Sequence, residues 1–211
     1  TTWISERLDL HRAPVLKLAG EAALAAVGLG IDDLTHLDLY SCFPSSVQIS
    51  TAELGISHDR PLTVTGGLTF AGGPFNNYSG QAIAALVHHM RERPGTGLVH
   101  ANGGYATKHA FGIYGTEPPK QAFRVVDVRK AAAGLPTRTV DHAYVGTATI
   151  EGYTVMHDRD NSPTHALVAL RTPGDARTWG TTHDPRRLAA MTVDEHIGMA
   201  AEIDSDGLVA V

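Results

Sequence analysis

The hydrophobic pattern of this chain changes at two consecutive prolines, Pro118 and Pro119, and this change most limits the folds it can adopt. Adjacent prolines interrupt any regular element. Before them, helix-like periods alternate with short strand-like runs, and after them the runs are mostly strand-like. We therefore predict an α/β domain over residues 1–118 and a separate, mainly β domain over residues 119–211.

Three helices are predicted in the first domain. From Pro14 to Gly28 the apolar residues cover most of a helix circumference, so this helix should be covered on nearly every side. A second helix is predicted from Ser45 to Leu54, ending at Gly55. A third, ended by a Pro-Gly pair, is amphipathic because its apolar residues recur at helical spacing: Ile83, Leu86, Val87 and Met90.

The first domain also contains three strand-like runs. The first extends from His36 to Tyr40 and the second from Gly97 to Ala101. Asn102-Gly103 is a strong turn signal, after which Thr107 to Tyr114 resumes as a strand. The pattern predicts a β/α alternation that ends in a hairpin.

The second domain has the element order of an OB-type barrel. Asp184 followed by Pro185 predicts the N-cap and first turn of a short helix. This helix separates three strand-like runs from two more: Tyr144 to Met156, His165 to Leu170 and Ala176 to Thr181 before it, and Ile197 to Ile203 and Leu208 to Val211 after it. Three strands, a helix and two strands predict a small OB-like β-barrel.

Composition excludes several classes of partner. The net charge of -5 argues against nucleic-acid and anionic-membrane binding, since both need a cationic surface. The longest apolar stretch is too polar to span a membrane. Cys42 is the only cysteine, which excludes an internal disulfide and suits a reducing cytoplasm, the location we predict. The chain opens TTWISERLDL, without an initiator methionine, so we expect a fragment of a longer protein.

Long segments of the chain are similar to a known family. DLYSCFPSSVQ, TGGLTFAGGPFNNYSGQA and HANGGYATKHAFGIYGTEPP resemble the C-terminal half of thiolases, in the branch of sterol-carrier-protein-associated thiolases and acetyl-CoA acetyltransferase-like proteins. The stretch from GTATIEGYTVMHDRD onward resembles the additional C-terminal domain of thiolase-like proteins. The resemblance implies a mixed sheet with flanking helices, followed by the OB-like barrel.

The resemblance also implies a mechanism, but the residues that would perform it are replaced here. Thiolases use a cysteine in their N-terminal half as the nucleophile, and C-terminal motifs supply a base and oxyanion contacts. The motif that carries the activating histidine has Gly73, and the motif that carries the second cysteine has Ala101. We therefore predict that this chain alone has no thiolytic or condensing activity.

The site candidates follow from the matched motifs. The catalytic candidates are Tyr40, Cys42, His100 and Tyr105. Cys42 is either a functional thiol or a small buried apolar residue, and each tyrosine either donates to a carbonyl or fills vacated space. The ligand-binding candidates are Gly72, Gly73, Asn102, Gly103 and Gly104; the glycines either let the backbone approach a thioester or form turns. His100 and His109 alone do not predict a metal site.

We interpret the intact protein as an acetyl-CoA acetyltransferase-like handler of acyl-coenzyme A, an active acyltransferase, with coenzyme A or its thioester as substrate or ligand and no further cofactor. Two alternatives stay open: a non-catalytic acyl-coenzyme A binder, and a retro-aldolase that acts on β-hydroxyacyl-coenzyme A through tyrosines. The expected protein partner is a missing N-terminal thiolase half or a partner subunit, and a homo-oligomer is possible on the same grounds.

Overall fold

The computed structural model describes residues 3–210 and divides the chain into two compact units. The first contains His11–Leu135 with the described residues before Ser5. The second contains Ser5–Leu10 and the chain from Pro136 onward. The sequence-based limit at residue 118 lies within the first of these units.

The first unit is built on a mixed three-stranded sheet of order β1-β2-β3. Its strands are β1 His36–Asp38, β2 Thr96–Gly103 and β3 Lys108–Gly115. Strands β1 and β2 are parallel, while β2 and β3 form an antiparallel hairpin. Its helices are α1 Pro14–Val27, α2 Pro44–Leu54, α3 Leu68–Ala71, α4 Tyr78–Glu92 and α5 Arg129–Ala132, with short 3-10 helices at Ile4–Glu6 and Ile31–Asp33.

Successive residues of β2 point into two different cores. Leu98 packs with Leu24 of α1, and Val99 packs with Leu86 of α4. This alternation is expected of a strand with both faces covered. In the described part of the chain α1 buries one face, rather than being covered on nearly every side as predicted, and Val27 is 44% exposed.

The hairpin turn lies later than the sequence predicts. Asn102 and Gly103 are in β2, where they pair with His109 and Lys108, so the prediction that they form the turn is wrong. The turn occupies residues 104–107, and Gly104 has a φ of 58°. A glycine adopts this left-handed conformation without steric cost, which moves the turn beyond the Asn-Gly pair.

The second unit contains a five-stranded antiparallel sheet of order β6-β5-β4-β7-β8. Its elements are β4 Gly146–His157, β5 Pro163–Arg171, β6 Arg177–Thr182, α6 Pro185–Val193, β7 Ala200–Ile203 and β8 Val209–Ala210. A parallel bridge between Thr181 and Leu208 brings β6 back to the start of β8. This order, with the helix between the third and fourth strands, is that of an OB-like barrel.

Local contacts explain how this sheet curls and how α6 begins. A Cβ at Gly180 would lie 2.5 Å from Val209 Cγ2, so the close approach of the outer strands requires glycine there. Asp184 caps α6 by accepting a 2.8 Å hydrogen bond from the Arg186 N–H, which confirms the predicted N-cap. Val211, the predicted end of the last strand, lies outside the described residues.

Among the described residues, no helix combines the length and apolar character needed to cross a membrane.

Candidate functional site

The candidate site lies where β1 and β2 end. Because these strands are parallel, their carboxyl ends share one edge of the sheet, a position where loops commonly form binding sites. Residues 40–43 follow β1, and the hairpin turn at residues 104–107 follows β2. The sequence-predicted candidates in these two segments are therefore positioned by neighbouring strands.

Asn102 connects the end of β2 to the start of α2. Its Nδ2 lies 3.3 Å from Ser46 Oγ and 3.9 Å from Cys42 Sγ. The Ser46 hydroxyl donates to the Tyr40 carbonyl at 3.1 Å, so it accepts from Asn102, and this fixes the orientation of the amide. The structure thus brings Cys42 and Asn102 together.

Cys42 is exposed, so the interpretation of this residue as a small buried apolar side chain is wrong. It lies in the loop between β1 and α2, immediately before Phe43, the N-cap residue of α2. A loop at a sheet edge leaves the side chain outside both cores. The thiol is therefore accessible at the same edge as Asn102.

A second loop, residues 66–74, is joined to this edge through Ser41. The Ser41 hydroxyl accepts a 3.0 Å hydrogen bond from the Leu68 N–H. Gly67 has a φ of 85°, and a Cβ there would lie 2.9 Å from Ser41 Oγ, so the close approach of the two loops needs glycine. Gly72, with a φ of 82°, and Gly73 lie at the end of α3 in this loop.

Asp38, which the sequence analysis missed, holds the two residues immediately before the second loop. Its fully buried carboxylate accepts from the N–H groups of Val64 and Thr65 at 3.0 and 3.1 Å. The Thr65 hydroxyl and the Tyr78 hydroxyl donate to the same carboxylate at 2.9 and 3.0 Å. Burial raises the pKa of Tyr78, as does the charge of Asp38, so this phenol stays a neutral donor. The sequence signal that could have identified Asp38 is the presence of a charged residue inside the predicted strand from His36 to Tyr40.

His100 and His109 form a stacked, hydrogen-bonded pair. His100 Nε2 lies 3.1 Å from His109 Nδ1, and His109 Nε2 lies 3.1 Å from the Ala106 carbonyl oxygen. A carbonyl only accepts, so His109 donates through Nε2, and neutral His109 receives the His100 Nε2–H at Nδ1. The pair therefore ties the hairpin turn to β2.

His100 is unsuited to accept a proton at neutral pH. It is fully buried and stacks on Phe111 with ring centroids 4.6 Å apart. Burial lowers the pKa of His100 to about 3, and the electrostatic interaction with His109 when that ring is protonated contributes in the same direction. A group with such a pKa is a weak base, so His100 acts here as a neutral positioning residue.

The two candidate tyrosines lie in different environments. Tyr40 is half-buried and meets Tyr78 edge-on, with ring centroids 5.4 Å apart. Tyr105 lies in the hairpin turn and is 83% exposed, with a φ of 56° that non-glycine residues adopt at a cost of about 1 kcal/mol. The strained turn therefore presents Tyr105 at the surface, while Tyr40 is held against the core.

Within residues 3–210, no group of three or more histidine, cysteine or acidic side chains is arranged to hold a metal ion. The groups that the candidate residues contribute are an exposed thiol, an amide, two phenols and the glycine-rich backbone of two loops.

Comparisons with known proteins match both units of this chain to thiolase-like proteins. The family model described as the thiolase-like protein type 1 additional C-terminal domain matches residues 127–208. A crystal structure of a monomeric SCP2-thiolase-like protein type 1 from Mycobacterium smegmatis is 34% identical and superposes with a TM-score of 0.88. That alignment covers 99% of this chain and 47% of the other, so this chain spans about half of its length. No curated protein sequence matches the chain.

Proposed function

Because this chain belongs to the thiolase-like proteins of the SCP2-thiolase branch, we propose that it forms part of an acyl-coenzyme A binding site that performs neither thiolysis nor Claisen condensation. The observation that carries the second half of this proposal is the lack of a competent base at the motif positions. Gly73 and Ala101 cannot transfer a proton, and His100 beside Ala101 is held neutral by burial.

The binding half of the proposal rests on the edge formed by Cys42, Asn102 and the glycine-rich loop. Asn102 ties β2 to α2, and Ser41 ties the glycine-rich loop to the same edge. Such an edge offers backbone groups to a thioester or a pantetheine arm without presenting a general base. Asn102 therefore supports the site by holding the loop that carries Cys42.

The test uses the full-length natural protein, with acetyl-coenzyme A and coenzyme A binding measured by calorimetry. Asn102→Ala removes hydrogen bonds worth about 1 kcal/mol each, so we expect binding about fivefold to tenfold weaker. Gln121→Ala, which removes an exposed amide elsewhere in the first unit, is the matched control and should leave affinity unchanged. Equal affinity in both variants would contradict the proposed role of this edge.

The catalytic half is tested with acetoacetyl-coenzyme A and free coenzyme A. We expect no turnover above background. Turnover that Cys42→Ala abolishes would instead establish an acyltransferase that uses this thiol. Release of aldehyde or ketone from a β-hydroxyacyl-coenzyme A, lost in Tyr40→Phe or Tyr105→Phe, would establish the retro-aldolase alternative.

A further inference from the structure

The segment Ser5–Leu10, here called the strap, belongs to the second unit although α1 and the rest of the first unit follow it in sequence. Four consecutive main-chain carbonyls of the strap accept hydrogen bonds from the barrel unit: those of Ser5, Glu6, Arg7 and Leu8. The donors are the side chain of Arg177 and the backbone and side chain of Arg138. These hydrogen bonds are all made to the backbone of the strap.

Arg177 is the centre of this contact. It is fully buried, and its Nε–H and one Nη2–H donate to the Glu151 carboxylate at 2.7 and 2.8 Å. Its Nη1 donates to the carbonyls of Ser5 and Arg7 at 2.7 and 2.6 Å, and Nη2 also donates to the carbonyl of Leu8 at 3.2 Å. A guanidinium has five N–H donors, so the carboxylate and the strap together satisfy the whole group.

Arg138 completes the contact from the segment before β4. Its backbone N–H donates to the Glu6 carbonyl at 2.8 Å, and its Nη2 donates to the Leu8 carbonyl at 3.2 Å. Its Nη1 pairs with the Asp175 carboxylate. The positive charges of the two guanidinium groups are thus neutralised by two carboxylates. Their remaining N–H groups therefore donate to neutral carbonyls and not to a further anion.

Release of the strap would leave the charged Arg177 side chain without some of its hydrogen-bond acceptors. Without it, three N–H groups of Arg177, which is fully buried in the folded protein, would lose the carbonyls that accept from them, and unsatisfied donors are costly for a charged group. The barrel also makes room for the strap, since a Cβ at Gly152 would lie 3.3 Å from Leu10 Cδ1. The side chain of Leu8 is exposed while its carbonyl accepts from Arg177 and Arg138, so at this position recognition depends on the main chain.

We propose that this side of the barrel, built on Arg177, Arg138 and Glu151, is a receptor for a polypeptide main chain, and that the strap is its resident ligand. OB-type barrels bind their ligands on the second and third strands, and Arg177 begins the third strand, β6. Here the first residue of that strand holds the chain's own backbone.

Hydrogen exchange of the Arg138 amide, measured on the intact protein and here called strap exchange, tests this inference, because this N–H donates to the Glu6 carbonyl and loses its acceptor when the strap leaves. In the unaltered protein this amide should be as protected as those of β4 and β5. Arg177→Lys keeps a cation opposite Glu151 but loses the fork that reaches three carbonyls. We expect strap exchange to accelerate about tenfold or more in this variant, with the strands unchanged.

Arg171→Met is the matched control, because Arg171 pairs directly with Arg177 across β5 and β6 but is exposed, and it should leave strap exchange unaltered. Arg177→Met should release the strap more completely; if that variant does not fold, Arg177→Lys decides. Free-peptide exchange of the Arg138 amide in the unaltered protein, or unchanged strap exchange in Arg177→Lys, would overturn the proposal. Equal acceleration of strap and strands would also overturn it, because the strap would then not be a separable ligand.

Discussion

Two substitutions of Asp38, to alanine and to asparagine, are expected to distinguish the effect of losing a hydrogen-bond acceptor from the effect of losing a negative charge. In Asp38→Ala the N–H groups of Val64 and Thr65 lose their acceptor, and they cannot rotate to find another. The hydroxyls of Thr65 and Tyr78 lie 2.6 Å apart and can still bond each other. The damage is therefore concentrated in two backbone donors of the loop that precedes Gly66.

The magnitude follows from these two donors. Each unsatisfied buried N–H costs about 1–3 kcal/mol, and the loop is partly exposed, so we expect Asp38→Ala to reduce the stability of the first unit by about 3 kcal/mol. In Asp38→Asn the amide oxygen can still accept from both N–H groups, while its NH2 can donate to the Tyr78 hydroxyl, which then donates to Thr65. That variant should lose only about 1 kcal/mol, since charge-assisted bonds become neutral ones.

Native-state hydrogen exchange of α4 and β2 amides measures this stability, because the two units need not unfold together. Asp32→Ala, which removes an exposed carboxylate, should stay within about 0.5 kcal/mol of the unaltered protein. If the asparagine variant were as unstable as the alanine variant, the negative charge rather than the acceptor geometry would hold the loop. That result would refute the reasoning.

Two further predictions concern the cores. The pKa of His100 is about 3 in the folded protein and near 6.5 in the unfolded chain, so between these values only the unfolded chain binds the proton and the free energy of unfolding falls as the pH drops below 6.5. Urea unfolding should show that about 2 kcal/mol of stability is lost between pH 7 and pH 5. The His100→Gln variant should lose little stability over the same range. Gly180→Ala places a Cβ 2.8 Å from the Gly207 carbonyl oxygen and should destabilise the barrel by about 2 kcal/mol in thermal unfolding, whereas Gly174→Ala, with only Thr172 Oγ1 near at 3.9 Å, should not.

The sequence by itself determined the elements that depend on near neighbours. The apolar spacing around Leu86 predicted α4, and Asp184 with Pro185 predicted the start of α6. The order of strands around that helix predicted the OB-like arrangement. These features follow from side-chain periodicity and capping, which operate within one or two turns of the chain, so an isolated segment already contains the information.

The tertiary structure alone decided which distant groups meet. The turn moved past Asn102 because three successive left-handed residues, starting at Gly104, close the hairpin, and His109 bonds to the last of them. Asn102 reaches Cys42 only because β1 and β2 are neighbours. Arg177 binds the strap although the two are separated by up to 172 positions in the sequence. Such contacts depend on how buried polar groups find partners after the elements pack, and local sequence does not specify those partners.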